Sequence, residues 1–144
     1  MGTVKSLYNT TPAIDITPSG LNGLANNGSV TTSVVNNTSY LALDFYVELT
    51  YVYGTAPTAN NNITIELQAS VDNTNFSDIQ NPPCVVLLTA DTNTHRTGFF
   101  VSALWGNNYA PPPYFRIRIT NNGGQALASS GNFLKIVPIY GQVV

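Results

Sequence analysis

The chain is dominated by one long stretch in which apolar and polar residues alternate, residues 40–53. One parity holds Phe45, Val47 and Leu49 among other apolar residues, and the opposite parity includes Asp44 and Glu48. Successive side chains of a β-strand point to opposite faces, so this pattern predicts a long strand with one buried face. Residues 63–70 repeat the alternation after a loop of Pro and Asn residues. We therefore expect the two stretches to form a long hairpin that the remaining chain covers.

Further strand patterns follow along the chain at intervals of roughly a dozen residues, separated by turns of Asn, Gly and Pro. Residues 84–90 are continuously apolar, which is typical of a strand buried on both faces. The other candidate strands are 28–36, 97–105, 114–120, 133–137 and 139–144. No helical period stands out. The pattern predicts an all-β fold, an antiparallel β-sandwich of about eight strands that is jelly-roll-like, although strand order does not follow from the sequence.

The alternation also predicts which side chains fill the space between the two sheets. On residues 114–120, the apolar parity points inward and the two arginines point outward. The predicted core residues are Phe45, Val47, Leu49, Ile65, Leu67, Phe115, Ile117 and Ile119.

The first 27 residues differ from the rest, because Pro12, Pro18, Gly20 and Gly23 interrupt their apolar positions. We interpret residues 1–27 as an extended N-terminal arm with two short strands, and residues 28–144 as a single β-sandwich domain. The apolar residues of the arm are too numerous to be left in water, so another chain or the outer face of the sandwich is expected to cover them. These predicted protein-interface residues are Val4, Leu7, Tyr8, Ile14, Ile16, Leu21 and Leu24.

The composition argues against several classes of function. Only 8% of the residues are charged and the net charge is −2, which gives no electrostatic footprint for nucleic acid. No apolar run reaches the roughly 18 residues of a membrane span. The single Cys84 cannot form an intrachain disulfide, and the chain opens without a secretory pattern, so we expect folding in a reducing cytosol.

Few residues offer catalytic or metal-binding chemistry. Cys84 and His95 could meet across the turn that joins their strands, but a structural thiol and a loop histidine are the favoured interpretation. Residues 72–78 place oxygen side chains at alternating positions, yet they lack the Gly and Glu of a calcium loop and favour a turn stabilised by Asx side chains. We therefore expect neither enzymatic activity nor a cofactor nor a metal site.

Two groups of residues remain as candidate surfaces. Glu48, Glu66, Arg116 and Arg118 share the polar parity of their strands and would form a cross-strand ionic ladder if those strands are neighbours; a ligand site is the less favoured alternative. The second group flanks a proline-rich loop, where aromatic residues can stack on sugars, anchor a protein interface or cap the end of the sandwich. This group comprises Trp105, Tyr109 and Tyr114.

Several segments resemble small structural proteins from the virions of tailed bacteriophages. The segments are 32–44, 54–59, 65–76, 112–127 and 131–133, which are strand and turn patterns with no catalytic signature. The resemblance implies a β-sandwich or jelly-roll protein that decorates or cements a capsid, or that sits elsewhere on the particle.

The expected function is accordingly that of a non-enzymatic virion protein, foremost a decoration or cement protein of the head. Its partners would be the major capsid protein and copies of itself. A trimer is favoured because related decoration proteins often occupy threefold positions. The alternative is a tail- or fibre-associated β-sandwich that binds carbohydrate of the host surface. Either protein would be located in the virion, assembled in the host cytoplasm.

Overall fold

The computed structural model describes residues 4–8, 13–78, 84–105 and 111–143. Within these residues the chain forms ten strands and two short helices. The strands are β1 (Val4–Tyr8), β2 (Ile14–Asp15), β3 (Ser29–Thr31), β4 (Val35–Asn36), β5 (Asp44–Tyr51), β6 (Asn62–Ser70), β7 (Cys84–Leu87), β8 (His95–Phe100), β9 (Tyr114–Asn122) and β10 (Phe133–Val143). The helices are α1 (Asn37–Tyr40) and α2 (Val101–Trp105), and no helix among the described residues has the length and apolar character to span a membrane.

The strands form two sheets that face each other across one core. Sheet A has the order β1-β10-β5-β8, with β2 also pairing with β10, and sheet B has the order β3-β9-β6-β7, with β4 also pairing with β9. Every pairing is antiparallel. If β1 with β2 and β3 with β4 are each counted as one interrupted strand, eight strands remain, in the order of a jelly roll. The prediction of an antiparallel jelly-roll sandwich is therefore confirmed.

The predicted hairpin between the two alternating stretches is wrong. β5 pairs with β10 and β8 in sheet A, whereas β6 pairs with β9 and β7 in sheet B. The chain crosses from one sheet to the other through residues 52–61. Alternation determines which face of a strand is buried, but it leaves open which strand lies alongside, so both arrangements fit the same pattern.

The predicted core is confirmed. All eight predicted residues are at most 1% exposed. Phe45 of sheet A meets Phe115 of sheet B edge to face, with ring centroids 5.3 Å apart. This arrangement is one of those that aromatic pairs prefer, and it joins the two sheets at the end where β5 begins.

Two predictions about strands need correction. The apolar stretch from Cys84 is buried on one face only, since Val85 and Leu87 are 50% and 68% exposed. β7 lies at the edge of a two-layer sandwich, in which only the inward face of a strand meets the core. The stretch 97–105 is also not one strand, because β8 ends at Phe100 and α2 follows.

The last strand runs through a proline. Residues 133–137 and 139–144 were expected as separate strands, but β10 continues across Pro138. On one side Pro138 pairs with Phe45 of β5. On the other side it lies between Ile136, which pairs with β2, and Ile139, which pairs with β1. Proline lacks the N–H of a ladder, and this gap between two partner strands accommodates it.

Much of the predicted arm belongs to the sandwich itself. β1 and β2 are strands of sheet A, Ile14 and Ile16 pack partly buried against the core, and Leu21 and Leu24 lie inside it at 0% and 7% exposure. Leu21 and Leu24 are thus core residues of their own chain and are not available to an interface. The backbone of Val4, Leu7 and Tyr8 lies in β1, and their side chains are outside the described part of the structure. A contact of this segment with another chain stays a prediction.

A buried amide fixes the turn between β9 and β10. Asn121 is fully buried, and its Oδ1 accepts hydrogen bonds from the Tyr53 hydroxyl at 2.6 Å and from the Gly123 N–H at 2.9 Å. Its Nδ2 donates to the carbonyl oxygens of Leu24 at 2.9 Å and Gln125 at 2.8 Å. One side chain therefore ties together the segment before β3, the segment after β5 and the turn after β9.

From the buried Tyr53 hydroxyl we predict how the free energy of unfolding changes at alkaline pH. Burial, with a smaller contribution from Tyr51, raises the pKa of Tyr53 above its usual value. A raised pKa in the folded state contributes stability that is present below about pH 10, the pKa of an unfolded tyrosine, and is lost as the pH rises further. We expect the free energy of unfolding to fall above this pH, and to fall less steeply in Tyr53→Phe. Urea denaturation at a series of pH values measures both slopes, and equal slopes would refute the assignment.

Candidate functional site

The outer face of sheet A carries an ordered grid of side chains. β10, β5 and β8 are neighbours, and every second residue of each strand points away from the core. From β10 through β5 to β8, the three rows are Phe133–Thr50–Arg96, Lys135–Glu48–Gly98 and Val137–Tyr46–Phe100. Residues far apart in sequence thereby meet on one surface.

This face contains a cleft of about 430 Å³. It is lined by Glu48, Thr50, Thr94, Arg96, Gly131, Phe133 and Lys135. Three of these seven residues are charged, although the whole chain has only five basic and seven acidic residues. Polar groups that converge in a concave surface beside an exposed ring make this cleft a candidate ligand site.

Aromatic rings lie at both ends of the grid. Phe133 and Phe100 are 42% and 39% exposed, which is unusual for side chains of this size. Tyr46 contacts Phe100 edge to face, with ring centroids 5.5 Å apart. The Tyr46 side chain crosses over Gly98, where a Cβ atom would collide with the tyrosine hydroxyl. The glycine therefore allows the Tyr46 ring to lie on the sheet.

The charged groups of the cleft are not consumed by ion pairs. In the part of the chain that the structure describes, the ion pairs within 4.0 Å are His95–Asp91 and Arg118–Glu66. The charged side chains of the cleft take part in neither pair. The Lys135 ammonium lies 5.6 Å from the centroid of the Phe133 ring, within the range of a cation–π interaction. Glu48 can therefore accept hydrogen bonds from a ligand, and the two basic side chains can donate them.

One further carboxylate lies beside the grid. Asp15 of β2 is directly opposite Lys135, but its Oδ1 accepts hydrogen bonds from the Thr17 hydroxyl at 2.5 Å and from the Thr17 N–H at 2.9 Å. The hydroxyl bond is the main reason why the pKa of Asp15 is lowered, and Lys135 adds a smaller effect. Asp15 is thus bonded to Thr17, just after β2, and it is not among the residues that line the cleft.

The cleft offers binding groups without a hydrolytic pair. Glycosidases generally use two carboxyl groups on opposite sides of the scissile bond. Among the residues that line the cleft, Glu48 is the single carboxylate. The groups of the cleft can contact a ligand that combines apolar C–H surfaces with hydroxyl groups.

The two residues considered for nucleophilic chemistry lie in opposite sheets. His95 of β8 contacts Asp91 Oδ1 through Nε2 at 2.8 Å and stacks on Tyr51. Cys84 lies in β7, partly buried against the core, and this burial raises the pKa of its thiol. A raised pKa disfavours the thiolate that acts as a nucleophile. The favoured interpretation of Cys84 as a structural thiol agrees with this geometry, whereas His95 is the first residue of β8 and not a loop histidine.

The segment 72–78 forms the expected turn. Asp72 Oδ1 accepts hydrogen bonds from the N–H groups of Thr74 at 2.9 Å and Asn75 at 2.8 Å, and Oδ2 accepts from Asn75 Nδ2 at 2.8 Å. These hydrogen bonds lower the pKa of Asp72, and the bond from the Asn75 N–H has the largest effect. No group of three or more potential metal ligands occurs among the described residues.

The predicted ionic ladder is divided between the sheets. Glu66 and Arg118 are opposite each other in sheet B, with 3.9 Å between Oε2 and Nε, while Glu48 lies in sheet A. Arg116 instead donates to Gln68 at 2.8 Å, and its guanidinium lies 4.3 Å from the ring centroid of Phe76. A ladder of four residues is therefore wrong, for the same reason as the predicted hairpin.

The aromatic residues beside the proline-rich loop are only partly described. Trp105 ends α2 and Tyr114 begins β9 half-buried, whereas Tyr109 and the Trp105 side chain lie outside the described part of the structure. A site on that side stays a prediction. The cleft on sheet A was missed, although Tyr46, Phe100 and Phe133 occupy the outward parity of their strands and could have marked it.

Comparison with known proteins adds little beyond the fold. No family model matches the chain, and no curated protein matches it. Among solved structures, the chain is similar to a xylan-binding domain of Paenibacillus barcinonensis, with 11% identity, a TM-score of 0.41 and coverage of 98% of this chain and 84% of that one. The chain is also similar to a structure of Desmodium yellow mottle tymovirus, with 10% identity and a TM-score of 0.44. This match covers 100% of this chain and 90% of that one.

An exo-β-1,3-galactanase of Phanerochaete chrysosporium, solved with galactose, gives 13% identity and a TM-score of 0.42. The match covers 97% of this chain but spans only 29% of the galactanase. At these values the similarities carry no argument about what the chain binds or assembles with.

Proposed function

We propose that the protein is a non-enzymatic carbohydrate-binding β-sandwich whose ligand site is the cleft on the outer face of sheet A. The observation that carries the proposal is the composition of this cleft, in which the exposed ring of Phe133 lies beside Glu48, Arg96, Lys135 and hydroxyl groups. The site thus differs from the loop-side aromatics that the sequence suggested for the same function.

The chemistry of the cleft favours a sugar over other ligands. A sugar ring presents C–H groups to an aromatic face and hydroxyls to carboxylate and cationic groups at its edge, and the cleft supplies both kinds of partner. A purely apolar ligand would leave Glu48 desolvated without a hydrogen bond, which is costly. A nucleic-acid backbone would meet the negative charge of Glu48 in a chain whose net charge is already −2.

A glycan array and affinity electrophoresis in soluble polysaccharides test the proposal. The wild-type protein should be retained by at least one glycan, and Phe133→Ala should weaken that binding about tenfold or more, a loss of about 1.4 kcal/mol. Phe76→Ala is the matched control, because Phe76 lies under Arg116 beside sheet B. Absence of binding to every glycan, or equal binding by the Phe133 and Phe76 variants, would refute the proposal.

Exposed aliphatic residues outside the cleft favour a second candidate, the capsid decoration protein. Leu41 and Leu43, near the start of β5, are 76% and 54% exposed, and Val85 and Leu87 are exposed on β7. Apolar residues grouped on a surface mark protein contacts. In this function the chain would bind the major capsid protein or copies of itself, with a trimer favoured, and would be located in the virion.

Co-purification with phage particles tests the second candidate. A truncation of residues 2–24 is unsuitable, because it removes the buried Leu21 and would unfold the chain. A double variant, Leu41→Ser with Leu43→Ser, changes the exposed surface instead. It should reduce occupancy on undecorated particles while Phe133→Ala leaves occupancy unchanged. Particles that lack the protein, or a double variant with full occupancy, would contradict this function.

A further inference from the structure

The grid on sheet A has two aromatic positions, one at each end of a diagonal. Phe133 lies on β10 in the row of Thr50. The second position is formed by Phe100 together with Tyr46, whose ring extends over Gly98 on β8. Between Phe133 and Gly98 lie two strand spacings of about 4.8 Å and two residue steps of about 3.4 Å, so their Cα atoms are roughly 12 Å apart.

A single sugar ring is too small to cover both positions. We propose that the site binds an extended oligosaccharide that crosses the sheet diagonally, with one ring on Phe133 and another on the Tyr46–Phe100 pair. This inference rests on the proposed function. The class of ligand is therefore an internal segment of a glycan chain, and not a terminal monosaccharide.

The polar groups between the two aromatic positions support the same placement. Glu48 lies in the central row of the central strand, between Lys135 and Gly98. A chain that spans the diagonal passes over this carboxylate, which accepts hydrogen bonds from the hydroxyls of a middle ring. Thr50 lies beside it in the next row, and Arg96 flanks Thr50 on β8. The polar contacts thus serve the middle of the ligand and the aromatic contacts serve its ends.

Gly98 is a positioning residue for the second aromatic position. A side chain at Gly98 would displace the Tyr46 ring, since even a Cβ atom collides with the tyrosine hydroxyl. Gly98→Ala therefore removes one end of the site without deleting an aromatic residue. Gly98 is not among the glycines with positive φ, so alanine is compatible with the backbone there.

A ligand-length series tests the inference by calorimetry. The probes are the monosaccharide, disaccharide, tetrasaccharide and hexasaccharide made by partial hydrolysis of the polysaccharide that retains the wild-type protein. Affinity should rise about a hundredfold from monosaccharide to hexasaccharide. Tyr46→Ala, Gly98→Ala and Phe133→Ala should each weaken hexasaccharide binding about tenfold. Tyr46→Ala and Gly98→Ala together should lose no more than either alone.

The outcomes separate this inference from the proposed function. If sugars bind but the monosaccharide equals the hexasaccharide, or if the Tyr46 and Gly98 variants bind like the wild type, the extended site is refuted and carbohydrate binding stands. If no polysaccharide retains the protein, both fail. Circular dichroism of each variant shows whether the fold is intact. If Tyr46→Ala is misfolded, Gly98→Ala takes its place, and Tyr46→Phe, which keeps the ring, should bind like the wild type.

Discussion

Replacing Asn121 with aspartate is expected to lower the free energy of unfolding by about 3–6 kcal/mol. The change removes two donors, so a carboxylate oxygen would face the carbonyl oxygens of Leu24 and Gln125 in place of an N–H group. The Leu24 oxygen keeps a hydrogen bond from the Leu127 N–H at 3.0 Å, so most of the loss comes from placing a charge at the fully buried position 121. A buried charge without a donor costs more than the about 1–3 kcal/mol of an unpaired neutral group. Since domains of this size are stable by only about 5–15 kcal/mol, the variant should be close to unfolding at room temperature.

The neighbouring residue provides the control for this substitution. Asn122 is half-buried, points to the opposite face and donates to the Asn62 side chain at 3.0 Å. In Asn122→Asp, the Asn62 amide can rotate and donate to the new carboxylate, so we expect a loss below about 1 kcal/mol. Urea denaturation at pH 7 compares the two variants. Equal stability would show that the Asn121 network does not hold the turn.

The second large effect is expected in the core. Ile117 is fully buried at the centre of β9, opposite Leu67 of β6. Replacing it with alanine removes apolar contacts and leaves a cavity, which costs about 2–5 kcal/mol. Arg118→Ala serves as the control one residue along, because the Arg118 side chain is 38% exposed and lies 3.9 Å from Glu66. Its loss should be within about 1 kcal/mol. Similar losses in both variants would contradict the inward position of Ile117.

The burial of individual side chains could be predicted from the sequence, whereas strand neighbours could not. The period of two placed Phe45, Ile65 and Ile117 in the core because it depends only on local geometry. Pairing depends on residues far along the chain, and β5 and β6 match each other as well as they match their true partners. The fold class, a jelly-roll-like sandwich, could be predicted because strand number and turn spacing are also local features.

The candidate site escaped prediction for the same reason. Its charged and aromatic residues come from β5, β8 and β10, and only the order of sheet A makes them neighbours. The sequence instead drew attention to residues close together along the chain, such as those flanking the proline-rich loop. An outward aromatic residue on a strand is the local signal that could have been used, because Phe133 and Phe100 occupy positions where a polar side chain is the usual choice.

Backbone NMR of the isotope-labelled protein, titrated with the best-bound oligosaccharide, tests most directly whether sheet A carries the ligand site. We expect the largest amide shift changes on residues 46–50, 94–100 and 131–137, with saturation at one ligand per chain. Changes concentrated around residues 105–114, or on the outer face of sheet B beside Arg116, would contradict the assignment of the cleft.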